Sequence, residues 1–468
     1  MARSIDDLPG PPRLPGLGNA HQVRPSSLHL TAEAWCERYG PLFRFDIGRR
    51  KVVCVADSAS INTMLRDRPD GFRRWRDLKA NAEETGFVGV FVAEGDEWRR
   101  QRRLAVTALN SNHLNRYFHI VRTSTERLHR RLKEAAHEGR ALDIGRELTS
   151  YTVDITSALA FGHDLNTLER RDNELQQHIQ RVFQISGRRV SMPVRYWRWI
   201  RLPADRAADR SFEEIRRAVE KFIEQARARM DARPELREAP ENFLEGMLAA
   251  QETDGAFTDD EIIGNTFTLL LAGEDTTANT MAWTIWLLAS RPQVQARCAG
   301  EAEEVLGEDP FPTTFDAVGD LRYGEAVLRE SMRLKPVAPV LGVEPLADTT
   351  LGGTHIPAGT RLMLLTRYAS MHDGGFQAAS DFDPERWLGE GEDERPAHDP
   401  KAFLAFGAGP RFCPGRNLAF LESKTAMAMI ARNFQLELDR SNGEVKEQFS
   451  FTMIPQGLSV RLRERVPA

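Results

Sequence analysis

The chain has 468 residues, 41% of them apolar and 28% charged, which is enough apolar material for a large core and excludes a chain disordered throughout. Lys and Arg number 63 against 68 Asp and Glu, for a net charge of −5, so there is no global pull toward nucleic acid. Cys36, Cys54, Cys298 and Cys413 lie far apart with no C-x-x-C pair, which argues against a disulfide scaffold or a zinc ribbon and fits a reducing compartment.

Residues 1–27 are rich in Pro and Gly and are expected to form an irregular lead-in without the apolar run of a secretory signal. No stretch approaches the roughly 18 uncharged apolar residues of a membrane span, so no transmembrane anchor is expected and a cytoplasmic location is the default. Residues 28–468 contain no evident linker or repeat, which predicts one large domain, mainly α with small β-sheets. Leu42, Phe43 and Phe45, then Val52, Val53 and Val55, flank Gly48-Arg49-Arg50 and predict a hairpin. From about 96 to 333 the apolar period is helical, with breaks at Gly139, Gly162, Pro193–Pro203, Pro234–Pro240 and Gly255. Within it, Arg188–Arg210 joins repeated arginines to Tyr196, Trp197 and Trp199; it reads as a solvated connection or as an access lid that touches lipid. Residues 351–368 turn strand-like around Ile356-Pro357-Ala358-Gly359, and 389–400 form an acidic surface loop. A last helix is expected over about 416–432, with a strand pair near 434–463.

One helix stands apart. Thr258-Asp259-Asp260-Glu261 is a capping box, and the helical pattern continues to Arg291, where Pro292 stops it. At about 1.5 Å per residue this is roughly 50 Å of apolar helix, which must cross the core. Its centre reads Ala272-Gly273-Glu274-Asp275-Thr276-Thr277. Gly, two acids and two β-branched hydroxyl residues are poor helix formers, and Thr can bend a helix by bonding back one turn. A solvent-facing turn and a functional interruption both satisfy this pattern.

In Lys401–Phe420, Gly407, Gly409, Pro410, Pro414 and Gly415 exclude regular structure up to about 415, and a helix follows. Cys413 therefore sits in a tight loop at a helix N-terminus, with Arg411 and Arg416 near it, a setting that favours a thiolate. A nucleophile would need a base from elsewhere in the fold. A metal site would need partner ligands, and none of the 11 histidines pairs with another at helical spacing. A single thiolate suffices as the axial ligand of a haem.

Phe406-x-x-Gly409-x-Arg411-x-Cys413-x-Gly415 resembles the haem-ligand signature of the cytochrome P-450 superfamily at every fixed position. Ala272–Thr277 resembles that family's oxygen-binding groove, Glu330-Ser331-Met332-Arg333 its Glu-x-x-Arg pair, Phe382–Trp387 the loop completing that pair, and Trp98-x-x-x-Arg102 its propionate-binding helix. The resemblance runs from Pro9 to about Arg463 and implies the cytochrome P-450 fold, with the long helix over about 258–291 crossing the haem. It implies Cys413 as axial ligand of the iron of haem b, with Phe406, Gly409, Arg411, Gly415, Trp98, Arg102, Ala272 and Gly273 around the cofactor. Glu330, Arg333 and Arg386 would form a buried network behind the Cys413 loop. Thr276, Asp275 and Glu274 would serve dioxygen chemistry.

The family pattern also places Phe87, Val88, Phe91, Val340, Leu341 and Met453 around a substrate pocket. Stepping back from Thr276 along the helix adds Ala272, Leu269, Thr268 and Asn265, with Asn265 and Thr268 as polar anchors. The activity implied is dioxygen-dependent hydroxylation of a C–H bond in a lipophilic molecule such as a steroid, terpenoid or fatty acid. Electrons would come from NAD(P)H through separate proteins, a ferredoxin or flavodoxin with its reductase, docking on the basic face nearest Cys413 that the Arg99–Arg103 run supplies. A haem-thiolate isomerase or peroxygenase on the same fold, and a haem-based sensor or electron carrier, are the alternatives.

Overall fold

The apolar periodicity of the middle of the chain folds into layered helices, seen in a computed structural model that describes residues 3–170, 174–191, 196–255, 257–372, 374–389 and 398–465. The breaks marked by glycine are helix ends. Gly162 and Gly255 take left-handed conformations (φ 68° and 59°) after the helices Ile144–Phe161 and Phe243–Asp254, the conformation glycine adopts most cheaply. The central helix is Asp259–Ala289, and Thr258 and Glu261 form the capping box. It packs most extensively against Ile144–Phe161. A Cβ on Gly273 would lie 2.5 Å from Thr156 Oγ1, so glycine is what lets the two helices approach there. The C-terminal half of the central helix enters a core with Tyr151, Ile155, Leu328 and Met429. Its N-terminal half enters a second with Phe87, Phe212 and Leu244.

The predicted hairpin is Leu42–Ile47 against Arg50–Val55. It belongs to a five-stranded sheet in which Arg50–Val55 pairs in parallel with Arg361–Leu364, followed by Leu341–Pro345 and Phe72–Arg74. The turn at Ile356–Gly359 does not join neighbouring strands. It passes from Thr354–Ile356, which pairs with Thr349–Leu351 in another sheet, to Arg361–Leu364. The lead-in is more ordered than its composition suggests: Arg3–Ser4 pairs in parallel with Thr354–His355. Gly10 lies so close to Arg44 that a Cβ would fall 1.9 Å from its carbonyl oxygen.

The C-terminal helix runs Arg416–Asn433. After it come two strand pairs rather than one: Phe434–Leu438 with Val460–Glu464, and a hairpin of Lys446–Phe449 with Met453–Gln456. Glu447 anchors the base of this hairpin, accepting from Arg367 at 2.8 Å, facing His29 at 2.9 Å and pairing with Lys335. Residues 390–397 of the acidic loop and 192–195 of the arginine-rich stretch lie outside the described residues. Among the described residues no helix is long and apolar enough to cross a membrane.

Candidate active site

The Cys413 loop is built by backbone bonds that its glycines permit. Gly407 N–H donates to Leu404 at 2.9 Å, Phe412 N–H to Gly409 at 3.0 Å and Cys413 N–H to Phe406 at 2.9 Å. Gly409 has φ 68°, and a Cβ there would sit 2.4 Å from the Leu65 carbonyl oxygen, so conformation and space both require glycine. Cys413 is partly accessible, whereas Cys36, Cys54 and Cys298 are buried. Burial pushes the Cys413 thiol up; the N–H groups of Gly415 and Arg416 and the guanidinium groups of Arg102 and Arg74 pull it back toward thiolate. Among the described residues no group of three or more His, Cys, Asp or Glu could hold a metal ion by itself.

Arginines converge on this loop. Arg102 donates to the Phe412 carbonyl. Arg411 donates to Ala93 O at 2.6 Å, pairs with Glu94 and lies 4.6 Å over the Trp98 ring. Arg74 and Arg68, which sequence reasoning missed, complete the group. Arg74 donates from Nε to Phe91 O at 2.8 Å, and Arg68 is buried with Nε and Nη2 lacking partners. Arg411 Nε is also unpaired, and burial lowers this guanidinium to about 10. Buried cations with open N–H groups are costly unless an anion meets them. A haem, with two propionates and one axial coordination site for a thiolate, fits this donor set.

Behind the loop lies the expected network. Both oxygens of Glu330 accept from Arg333, at 2.8 and 2.9 Å, and both side chains are fully buried. Arg386 Nε adds a bond at 3.1 Å, Trp387 Nε1 one at 2.9 Å and Asp383 N–H one at 2.9 Å. Arg333 also donates to Ala379 O at 2.6 Å and Asp381 O at 2.9 Å. The carboxylate and its guanidinium thereby fix the segment 379–387.

On the central helix, Ala272 is exposed and Asp275, Thr276 and Asn279 are half-buried, although Leu270, Thr277 and Ala278 are buried. The accessible positions thus form a stripe bordered by buried Leu270, Glu274, Thr277 and Ala278. Thr276 Oγ1 donates to Ala272 O at 2.6 Å. Burial pushes Asp275 up to about 6, opposed by a hydrogen bond from Thr452. Glu274, expected to act beside them, is off the stripe. It is 1% exposed, its carboxyl has no partner among the described residues, and burial followed by the neighbouring Asp275 raises it well above the usual carboxylate range. Its backbone carbonyl is held by Thr152 Oγ1 at 2.9 Å. Its buried carboxyl does not reach the accessible positions of the helix, so the expected part of Glu274 in dioxygen chemistry is not taken further.

The pocket differs from expectation at several positions. Asn265 is buried; its Oδ1 accepts from Val90 N–H at 2.8 Å and its Nδ2 donates to Glu261 O at 2.8 Å. Its amide ties the loop 86–93 to the central helix and does not serve as a substrate anchor. Thr268 gives its proton to Gly264 O at 2.8 Å and keeps only acceptor capacity. Phe87 is a core residue, 4.0 Å from the Phe267 ring centre. Met453 is fully buried with its sulfur 3.4 Å from Arg367, so alternation along the strand turns it away and brings Thr452 toward the central helix. Val88, Phe91, Leu269, Val340 and Leu341 remain partly accessible. Phe451, missed earlier, faces Phe91 at 5.9 Å. Arg100 pairs with Glu261 at the start of the central helix rather than joining the Cys413 face, and Arg99 pairs with Asp70 and Asp96. In the arginine-rich stretch Trp199 and Ile200 are 76% and 62% exposed.

A partly accessible cysteine beside guanidinium groups, and a central helix with an acid and a hydroxyl at accessible positions, fit a haem-thiolate protein. The chain belongs to the cytochrome P-450 family, whose profile matches residues 8–462, and it is a cytochrome P-450 monooxygenase with the haem-thiolate cofactor of that family. The 25-hydroxyvitamin D-1 alpha hydroxylase, mitochondrial, of Rattus norvegicus is 30% identical over 479 residues, covering 97% of this chain and 93% of its own. CYP13A3 of Caenorhabditis elegans is 29% identical over 467 residues, covering 92% of this chain and 88% of its own. The crystal structure of a cytochrome P-450DA mutant heme domain superposes with a TM-score of 0.84, covering 98% of each chain at 24% identity, and shares the fold.

Proposed function

We propose that this protein hydroxylates a C–H bond of a lipophilic small molecule, with two electrons delivered from NAD(P)H by separate redox proteins. Cys413 would hold haem b from its loop, with Arg68, Arg74, Arg102 and Arg411 meeting the propionates and Trp98 packed against Arg411. The bound haem supplies dioxygen binding and the oxidising power for the C–H bond. Glu330, Arg333 and Arg386 keep the supporting segment fixed. Small Ala272 would leave room for the cofactor, whereas Gly273, expected to share that role, packs on Thr156 instead. Thr276 presents its hydroxyl oxygen on the open face, and Asp275, titrating near neutrality, passes protons toward it. Phe91, Phe451, Leu269 and Val340 exclude water from the substrate.

The observation that carries this reading is the pairing of a cation-ringed thiol with an acid and hydroxyl on the open stripe of the central helix. Proton donors placed this way contribute about 10²–10⁴-fold to a reaction. They favour reduction of dioxygen over isomerase or peroxygenase chemistry, which needs no such relay. The apolar lining and the name of the vitamin D hydroxylase relative support a sterol-like substrate. The spectrum of the reduced, CO-bound protein tests the cofactor. A Soret band strongly red-shifted from that of His-ligated haem is expected, and its absence in well-folded, haem-loaded protein overturns the reading. Sterols, terpenoids and fatty acids screened for spin-state changes then test the substrate class.

A further inference from the structure

Phe91 is partly accessible and faces Phe451 at 5.9 Å. One side chain holds both its backbone and its ring. Arg74 Nε donates to the Phe91 carbonyl at 2.8 Å, and the Arg74 guanidinium carbon lies 3.9 Å from the centre of the Phe91 ring. A bond to the carbonyl alone would leave the side chain free to change rotamer; the ring contact removes that freedom.

The strand Phe72–Arg74 explains why this guanidinium is available. Successive side chains on a strand point to opposite faces. Arg73 turns to Glu344 of the paired strand at 2.6 Å, and Arg76 joins the same carboxylate at 3.1 Å. Arg74 turns the other way and, among the described residues, pairs with no acid. Glu94 accepts its backbone N–H at 3.1 Å but gives its ion pair to Arg411. A cation without a carboxylate beside it keeps its full attraction for an aromatic face. The flanking chain is held separately, by Asn265 at Val90 N–H (2.8 Å) and by Arg411 at Ala93 O (2.6 Å). Those bonds fix the backbone and do not touch the ring. An ammonium has neither an N–H on its stem nor a flat face, so lysine could not make both contacts.

We propose, on the reading that Phe91 lines the substrate pocket, that Arg74 is a positioning residue for ligand selection. Its Nε–H and its guanidinium face together hold the Phe91 ring in one place beside Phe451. The wall is then set before a ligand arrives, and an apolar tail binds without having to order it.

The test compares spectral titrations of haem-loaded protein with imidazole and 1-hexylimidazole, whose shared head group makes the ratio of their affinities a measure of the pocket wall alone. In Arg74→Lys that ratio falls about fivefold against the long ligand. Combined with Phe91→Leu, Arg74→Lys changes the ratio no further, because the contact it breaks is already gone. An unchanged ratio, or the same fall with and without Phe91→Leu, overturns the proposal. Replacing Phe91 by 4-fluorophenylalanine gives a second readout in the reduced, CO-bound protein. One fluorine line is expected, split or broadened in Arg74→Lys; an unaltered line overturns the proposal. If Arg74→Lys does not load haem, replacing Phe91 by cyclohexylalanine keeps the bulk and removes the attraction for the guanidinium. The same fall in ratio is expected, and no fall overturns the proposal. If Phe91→Leu by itself leaves both affinities unchanged, the pocket reading of Phe91 fails, while the fluorine line still decides the Arg74 contact.

Discussion

In the Glu330–Arg333 network behind the Cys413 loop the polar groups have fixed partners, whereas at the centre of the Asp259–Ala289 helix the acids are sparsely held. Glu330 alone accepts five hydrogen bonds, from Arg333, Arg386, Trp387 and Asp383. Glu274 has none among the described residues. The first region is cationic and rigid, as a site that must hold an anionic cofactor should be. The second is acidic and desolvated, so burial raises both carboxyls above their usual range, Asp275 to about 6. Holding and reacting are thus assigned to different sides of the site by different electrostatics.

Breaking the cationic side has the larger expected effect. Cys413→Ser removes the thiolate, and the red-shifted CO band should vanish entirely. Glu330→Ala strands two buried guanidinium groups, a loss of about 3–5 kcal/mol, and should appear as failure to retain haem with a lowered Tm. On the acidic side, Asp275→Asn should slow the proton-dependent step about 10²–10⁴-fold while leaving haem content and the CO band intact. Burial keeps Asp275 protonated up to about 6, so donation should weaken as pH rises through that value. A flat pH profile in Asp275→Asn checks the assignment.

Asn265→Leu sharpens the contrast from within the pocket. It should cost roughly 1–2 kcal/mol through the loop 86–93, lower Tm, and weaken binding of all ligands alike. Selective loss of oxygen-bearing ligands would return Asn265 to an anchor role. The smallest effect belongs to Glu447. Burial opposes its charge, but His29, Arg367 and Lys335 hold it well below the usual carboxylate range. Its stabilising contribution is present above the ordinary Glu value of about 4.3 and is lost as pH falls below it. Glu447→Gln should therefore flatten the acid limb of Tm against pH.

The parts of this site legible in sequence are those written locally. Thr258 and Glu261 declared the start of the central helix, Glu330 and Arg333 share a face by spacing, and glycine at 407 and 409 announced an irregular loop. What could not be read depends on which strands and loops arrive from far away. Asn265 looked like a pocket residue because nothing in its helix reveals that Val90 N–H meets it. Met453 and Thr452 differ by one residue, and strand register decides which of them faces the central helix. Arg68 and Arg74 lie in a charged run that resembles any solvated face until the fold gathers them beside Arg411 and Glu94.

The strand pairings also bear on the order of assembly. Arg3 pairs with Thr354, and Cys54 with Met363, so strands made earlier wait for partners made much later in the chain. Until Arg361–Leu364 emerges, Arg50–Val55 has an open parallel edge and the Cys413 loop does not yet exist. Long-range closure of this kind is slow and leaves edges open to aggregation. The nascent chain is therefore most vulnerable in the interval after its helical middle has formed and before Arg361–Leu364 docks.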